Sequence, residues 1–209
     1  MLDWNCNEMQ QLVLDIGPPP DPSFDNYVAG PNAEALARVR SLAQGGLREA
    51  VVYLWGEPGS GRTHLLKAAA RANPRLVVAD DVETLDAQGQ QQLFVAINSA
   101  RDGGAPVLAA GAVAPAGLML REDLRTRLAW GLVYQLRPLS DAEKALQLRA
   151  EAARRGLRLS EEVVGYLLTR LPRDLPSLNA VLDALDRYSL AAKRPITLPL
   201  VREALEARR

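Results

Sequence analysis

The chain has 209 residues, 48% of them hydrophobic and 24% charged, which is ample for one or two packed domains and too apolar for a solvated, disordered chain. Twenty-five Lys plus Arg balance 25 Asp plus Glu, so no net field draws the protein to a polyanion. Cys6 is the only cysteine, which excludes an intramolecular disulfide and a cysteine-based zinc cluster.

Residues 1–37 carry six acids (Asp3, Glu8, Asp15, Asp21, Asp25, Glu34) and no Lys or Arg, the reverse of a signal or transit peptide, so a cytoplasmic protein is expected. The run Gly17-Pro18-Pro19-Pro20-Asp21-Pro22 removes donors and fixes φ, which predicts an extended spacer between a short head and a body. Ala35, Leu36, Val39 and Leu42 then recur at helical spacing, and 50–55 reads as a buried strand. That strand is far shorter than the roughly 20 apolar residues of a membrane span, and no membrane association is expected. A Gly-rich turn opens a helix over about 63–72, which Asn73-Pro74 stops. Apolar runs at 76–79, 107–110 and 132–136 alternate with helical stretches near 86–101 and 120–129, the pattern of an α/β domain with a parallel sheet of about four main strands. Beyond Pro138 the pattern is purely helical. Ser140 with Glu143 is a capping box, Gly156 a stop, and Ser160 before Glu161 and Glu162 a second start, with further helices near 176–192 and 198–208. The expected domains are a head and linker over 1–22, the α/β domain over 23–137 and an α-helical domain over 138–209.

Gly56-Glu57-Pro58-Gly59-Ser60-Gly61-Arg62-Thr63 has the spacing of a phosphate-binding P-loop, with Arg62 where Lys is usual. Its glycines let backbone N–H groups turn toward phosphate oxygens at a helix N-terminus, and Thr63 offers a hydroxyl to Mg2+. The strand before it and the helix after it disfavour the alternative of a Gly-rich turn without a ligand. Arg62 keeps the charge but replaces a compact ammonium with a planar fork. Asp80 and Asp81 end the run 76–79 at the carboxyl edge of the sheet, where Asp80 would hold Mg2+ and Asp81 would polarise a water. A strand end or helix cap is the alternative for this pair. ADP or ATP with Mg2+ is the expected ligand.

At this point the chain resembles the bacterial AAA+ proteins of the replication-initiator group, and within it the DnaA-related regulatory inactivators of the Hda type, over about residues 10–208. Phe24-Asp25-Asn26-Tyr27-Val28-Ala29-Gly30 looks like the family motif beside the nucleotide base, which assigns Tyr27 and Val28 to the cofactor. Leu124-Arg125-Thr126-Arg127-Leu128-Ala129-Trp130-Gly131-Leu132 resembles the segment bearing the arginine finger, which assigns that role to Arg127. Leu139-Ser140-Asp141-Ala142-Glu143-Lys144 resembles the opening of the helical lid. Gln11, Leu12, Leu14 and Ile16 lie in a short peptide similar to the one that docks on the DNA polymerase sliding clamp, with Gln in a polar subsite and Leu14 and Ile16 in an apolar cleft. The resemblance therefore implies two partners, the sliding clamp and the initiator DnaA, and an activity in which the chain stimulates the initiator's ATP hydrolysis. It also admits a homo-oligomer, since AAA+ sites form between neighbours. The last predicted helix is one beyond the lid, with no helix-turn-helix module, so sequence-specific DNA binding is not expected.

Three departures bear on hydrolysis by the chain itself. Only about a dozen residues join Thr63 to Leu76, so the family's second strand is missing. The polar sensor aligns with Ala112. The lid's sensor arginine aligns with Pro176, with Arg173 nearby as an imperfect substitute and so counted with the cofactor site. An autonomous ATPase that remodels another replication protein remains the rival reading. His64, the only histidine, directly follows the loop and is counted with the cofactor-binding stretch, its side chain read as a packing or solvent-facing group. Trp4, Trp55 and Trp130 stand apart in sequence and read as packing anchors, and Arg125 reads as a solvated surface residue.

Overall fold

A computed structural model describes residues 20–170 and 175–206. One compact unit spans Asp21–Ser140, and the described residues from Asp141 onward belong to a second. The first unit is built on four parallel strands, β1 (Val51–Trp55), β2 (Val77–Ala79), β3 (Val107–Gly111) and β4 (Leu132–Gln135), in the order β2-β3-β1-β4. Val51 is opposite Val107, and Val52 is opposite both Leu108 and Leu132. The central strands β1 and β3 are apolar on both faces because helices cover both faces. Strand β4, at an edge, alternates half-buried with exposed residues.

Helices α1 (Ala33–Ala43) and α2 (Arg62–Ala72) bury Val39, Leu42, Leu65, Leu66 and Ala69 against Val52, Leu54, Leu108 and Ala110. On the other face α3 (Ala87–Arg101) and α4 (Glu122–Ala129) bury Leu93, Ile97, Leu124 and Leu128 against Val51, Tyr53, Val107 and Ala109. Each fully buried Leu in these layers contributes roughly 1.5–3 kcal/mol of transfer free energy. Asp86 caps α3 by accepting the Gly89 N–H at 2.7 Å. Only residues 73–76 separate α2 from β2, so no further strand fits between them and β2 becomes an edge, with Val78 exposed. Leu76, expected to open that strand, instead turns back to the Asn73 carbonyl at 3.0 Å and is buried.

The second unit contains α5 (Asp141–Arg154), α6 (Glu161–Arg170), α7 (Leu175–Ala192) and α8 (Leu198–Glu206). Leu148, Val163, Leu167, Leu178, Leu182, Leu185 and Leu200 form its core. Gly156, at φ +75°, ends α5: its N–H reaches the Ala153 carbonyl at 3.0 Å and Leu157 N–H reaches Ala152 at 2.9 Å. Ser160 caps α6 through the Val163 N–H, and Arg155 ties α5 to α7 by pairing with Glu151 and Asp183. Among the described residues no helix is long and apolar enough to cross a membrane.

Candidate functional site

The loop Gly56–Thr63 leaves the carboxyl end of β1 and enters α2, so its N–H groups gather where strand ends and a helix dipole both favour an anion. Gly61 precedes the helix at φ +95°, and a Cβ there would lie 2.8 Å from the Tyr27 ring, so backbone and space both require glycine. Ser60 is buried with no partner for its Oγ, and Arg62 Nη1 is likewise buried without a partner. Two such groups beside a row of backbone donors fit the phosphates of a nucleotide.

Thr63 Oγ1 donates to Asp80 Oδ2 at 2.6 Å, which puts the hydroxyl and carboxylate assigned to Mg2+ side by side. Both are hard oxygen donors of the kind Mg2+ takes together with phosphate oxygens. Among the described residues no cluster of three or more His, Cys, Asp or Glu side chains could hold a metal by itself, so the phosphates would have to share the ion. Asp81 adopts φ +42°, the left-handed region, and its Oδ1 is 3.2 Å from Arg62 Nη2. The carboxylate expected to polarise water is thus held by the loop's own cation.

Sequence reasoning missed the layer beneath. Tyr53 is fully buried in β1 and donates to the Val113 carbonyl at 2.8 Å. Burial and then the Glu83 charge push its phenol pKa far up, with Arg62 opposing. Glu83 Oε1 accepts the Ala112 N–H at 2.9 Å, so a carboxylate occupies the neighbourhood where Ala112 brings no polar side chain. A Cβ on Gly111 would lie 2.3 Å from Tyr53 Oη and 2.7 Å from the Glu83 carboxylate, which is why β3 ends in glycine. Only a strand tyrosine and a lone acid mark this layer in the sequence.

His64 Nε2 is 2.9 Å from the Ser23 carbonyl, and its ring lies 5.3 Å from that of Tyr27. It therefore packs and hydrogen-bonds. Burial lowers its pKa, with the Ser23 carbonyl opposing. Val28, next to Tyr27, is half-buried, and Asp21 pairs with Arg71 at 2.7 Å, so the stretch from 21 to 28 lies along α2. Buried Asn32 takes Arg137 in both directions: its Nδ2 donates to the Arg137 carbonyl and its Oδ1 accepts the Arg137 N–H, each at 2.8 Å. Within the loop Glu57 and Pro58 are exposed, and the Glu57 carbonyl accepts the Ser60 N–H at 3.1 Å. Gln11, Leu12, Leu14, Ile16 and Arg173 lie outside the described residues, as does Trp4.

Arg127 belongs to the opposite edge of the sheet. With Val51, Pro106 and Gly131, at the amino ends of β1, β3 and β4, it lines a groove of about 540 Å³. Its guanidinium is 3.8 Å from the Trp130 ring centroid and 5.4 Å from that of Phe94. Trp130 corrects its reading as a packing anchor: at the end of α4 it is 50% exposed, with the guanidinium groups of Arg101 and Arg127 over its ring. Trp55 does pack, half-buried against the α3 and α4 core. Arg125 is half-buried on α4 rather than fully solvated.

The family model described as "Hda, lid domain" matches residues 141–205. An uncharacterized protein of Haemophilus influenzae is 32% identical over 94% of this chain and 98% of its own. Domain III of the Thermotoga maritima replication initiation protein DnaA superposes with a TM-score of 0.68 at 22% identity, covering 91% of this chain and 98% of that one. AMPPCP-bound DnaA from Aquifex aeolicus gives 0.64 at 18% identity, covering 80% of this chain and 65% of that one.

Proposed function

Because the chain belongs to the DnaA-related AAA+ proteins of the Hda type, we propose that it regulates replication initiation by supplying Arg127 in trans to the ATP held by DnaA. One observation carries this reading. Gly56 follows the carboxyl end of β1, whereas Arg127 lines a groove with Val51 at the amino end. The five residues of β1 span about 13 Å, at roughly 3.3 Å per step. An arginine at that edge serves a nucleotide on another molecule, not its own cradle.

The chain's own cradle plays a different part in this proposal. When bound there, ADP with Mg2+ supplies a polyanion that ties loop, sheet and the stretch around Tyr27 together. The backbone of 56–61, Ser60 and Arg62 would hold its phosphates, Thr63 and Asp80 would hold the ion, and Tyr27, Val28 and His64 would line the approach. Asp81, though half exposed, has one carboxylate oxygen engaged by Arg62, and Ala112 brings no polar side chain to orient an attacking water. These features support slow hydrolysis by the chain alone. The AMPPCP-bound relative supports nucleotide binding in a fold of this kind.

Residues 11–16 tether the chain to the sliding clamp in this reading, the proline spacer leaving the α/β unit free to meet DnaA in the cytoplasm. An autonomous ATPase is the rival, favoured by the Thr63–Asp80 contact and opposed by the Arg62–Asp81 pair. Hydrolysis of DnaA-bound ATP, measured with this protein, clamp and DNA added separately and together, tests the proposal. Stimulation is expected in the complete mixture; none in any mixture would overturn it.

A further inference from the structure

The groove at the amino edge holds a cluster of charge that the packing of the sheet does not require. Arg127 stacks 3.8 Å from the Trp130 centroid, and Arg101, the last residue of α3, stands 4.3 Å from the same centroid. Arg48 lines the groove as well, and Glu49 is the only acid in its lining. Among the described residues Arg48, Arg101 and Arg127 form no ion pair with a carboxylate. Arg121 shows the contrast: its charge is taken up by Asp123 at 2.6 Å.

Two guanidinium groups held over one indole, neither paired with a carboxylate, leave their charge available to an anion at the groove. A lone carboxylate suits one guanidinium, whereas a polyphosphate offers anionic oxygens in a row and matches several. The indole contributes geometry. An arginine side chain has many rotamers, and stacking on an aromatic face limits them before any ligand arrives.

We propose that Trp130 is a positioning residue that holds the Arg127 guanidinium over its ring, and that Arg101 is a second contact to the same anion, the triphosphate carried on the partner's surface. This rests on the reading of Arg127 given above. It adds two residues, one acting through Arg127 and one beside it, and it makes the groove a detector of the partner's nucleotide state.

The test uses the full chain as wild type and as Trp130→Phe, Trp130→Leu, Arg101→Gln, Arg127→Ala and the double variant Arg127→Ala/Trp130→Leu. Circular dichroism and ADP binding establish that each is folded. Single-turnover hydrolysis of DnaA-bound ATP gives a plateau rate and a half-saturating concentration, and direct titration gives affinity for ATP-bound and ADP-bound DnaA. Trp130→Leu should lose about fivefold to tenfold in plateau rate with its half-saturating concentration unchanged, while Trp130→Phe, which keeps an aromatic face, retains most of the rate. The double variant should be no slower than Arg127→Ala. Arg101→Gln should weaken binding of ATP-bound DnaA about fivefold and leave ADP-bound DnaA unaffected. A Trp130→Leu rate equal to wild type, an added loss in the double variant, or equal effects of Arg101→Gln on both nucleotide states would overturn the proposal. No stimulation by wild type would instead remove the functional reading on which it rests.

Discussion

Arg62 and Asp81 face each other at the cradle, with Nη2 and Oδ1 3.2 Å apart and Arg62 Nη1 buried without a partner. One end of the fork is committed to a carboxylate and the other is unpaired, so a phosphate can be taken without releasing Asp81. Arg62→Ala should therefore weaken ADP binding about tenfold to a hundredfold, the range for charge-assisted hydrogen bonds, in a calorimetric titration. Turnover of ATP by the isolated protein should be slow and insensitive to Asp81→Asn. Rapid turnover abolished by Asp81→Asn would favour the autonomous ATPase.

Gly61→Val should both destabilise the α/β unit and remove ADP binding. The positive φ alone costs roughly 1–3 kcal/mol for a non-glycine residue, and the Tyr27 ring stands where the new side chain would go. Adding Tyr27→Ala should relieve the clash but not the backbone cost, so thermal melts should show partial recovery. A Gly61→Val protein that melts with wild type would contradict this packing.

His64 gives the fold a pH dependence of definite sign. Its folded pKa lies below the ordinary value of about 6.5 because burial penalises the imidazolium, so the unfolded chain binds the proton more readily. The stability it contributes is complete above about pH 6.5 and is lost as pH falls through the lower folded value. Wild type should lose more thermal stability between about pH 7.5 and 5.5 than His64→Gln, which keeps a donor for the Ser23 carbonyl. Parallel loss in the two proteins would refute the assignment.

Leu12→Ala with Leu14→Ala should abolish clamp binding without unfolding either unit, since both residues precede the spacer. Tethering acts by effective concentration, so the double variant should lose clamp-dependent stimulation of DnaA while keeping a weak activity in solution. Unchanged affinity in a direct clamp titration would reject the tether.

What could be read in advance depended on how local the signal was. The loop 56–63, the Asp80-Asp81 pair and the four strands are carried by contiguous spacing, and the helical cap at Ser160 by a single residue beside its helix. Other features required chain segments far apart to meet. Asn32 engages Arg137 across 105 positions, and Glu83 meets Ala112 across 29. Trp130 stands alone in sequence because Arg101 reaches it from another helix, so its isolation suggested packing where the fold built a stack of charges. The Arg62–Asp81 pair was hidden for the same reason: each residue was legible, but not that the first would hold the second.

The most direct measurement is single-turnover hydrolysis of DnaA-bound ATP at saturating regulator, comparing wild type with Arg127→Ala. A guanidinium placed beside a γ-phosphate stabilises the charge that develops in phosphoryl transfer, and its loss is worth about 10³ to 10⁵ in rate. ADP and clamp binding should be nearly unchanged in the variant, since Arg127 lines the groove at the amino edge of the sheet, whereas the cradle follows the carboxyl end of β1. A loss of most stimulation with binding intact is the expected result. An Arg127→Ala protein as active as wild type would contradict the assignment of Arg127 as the residue supplied in trans.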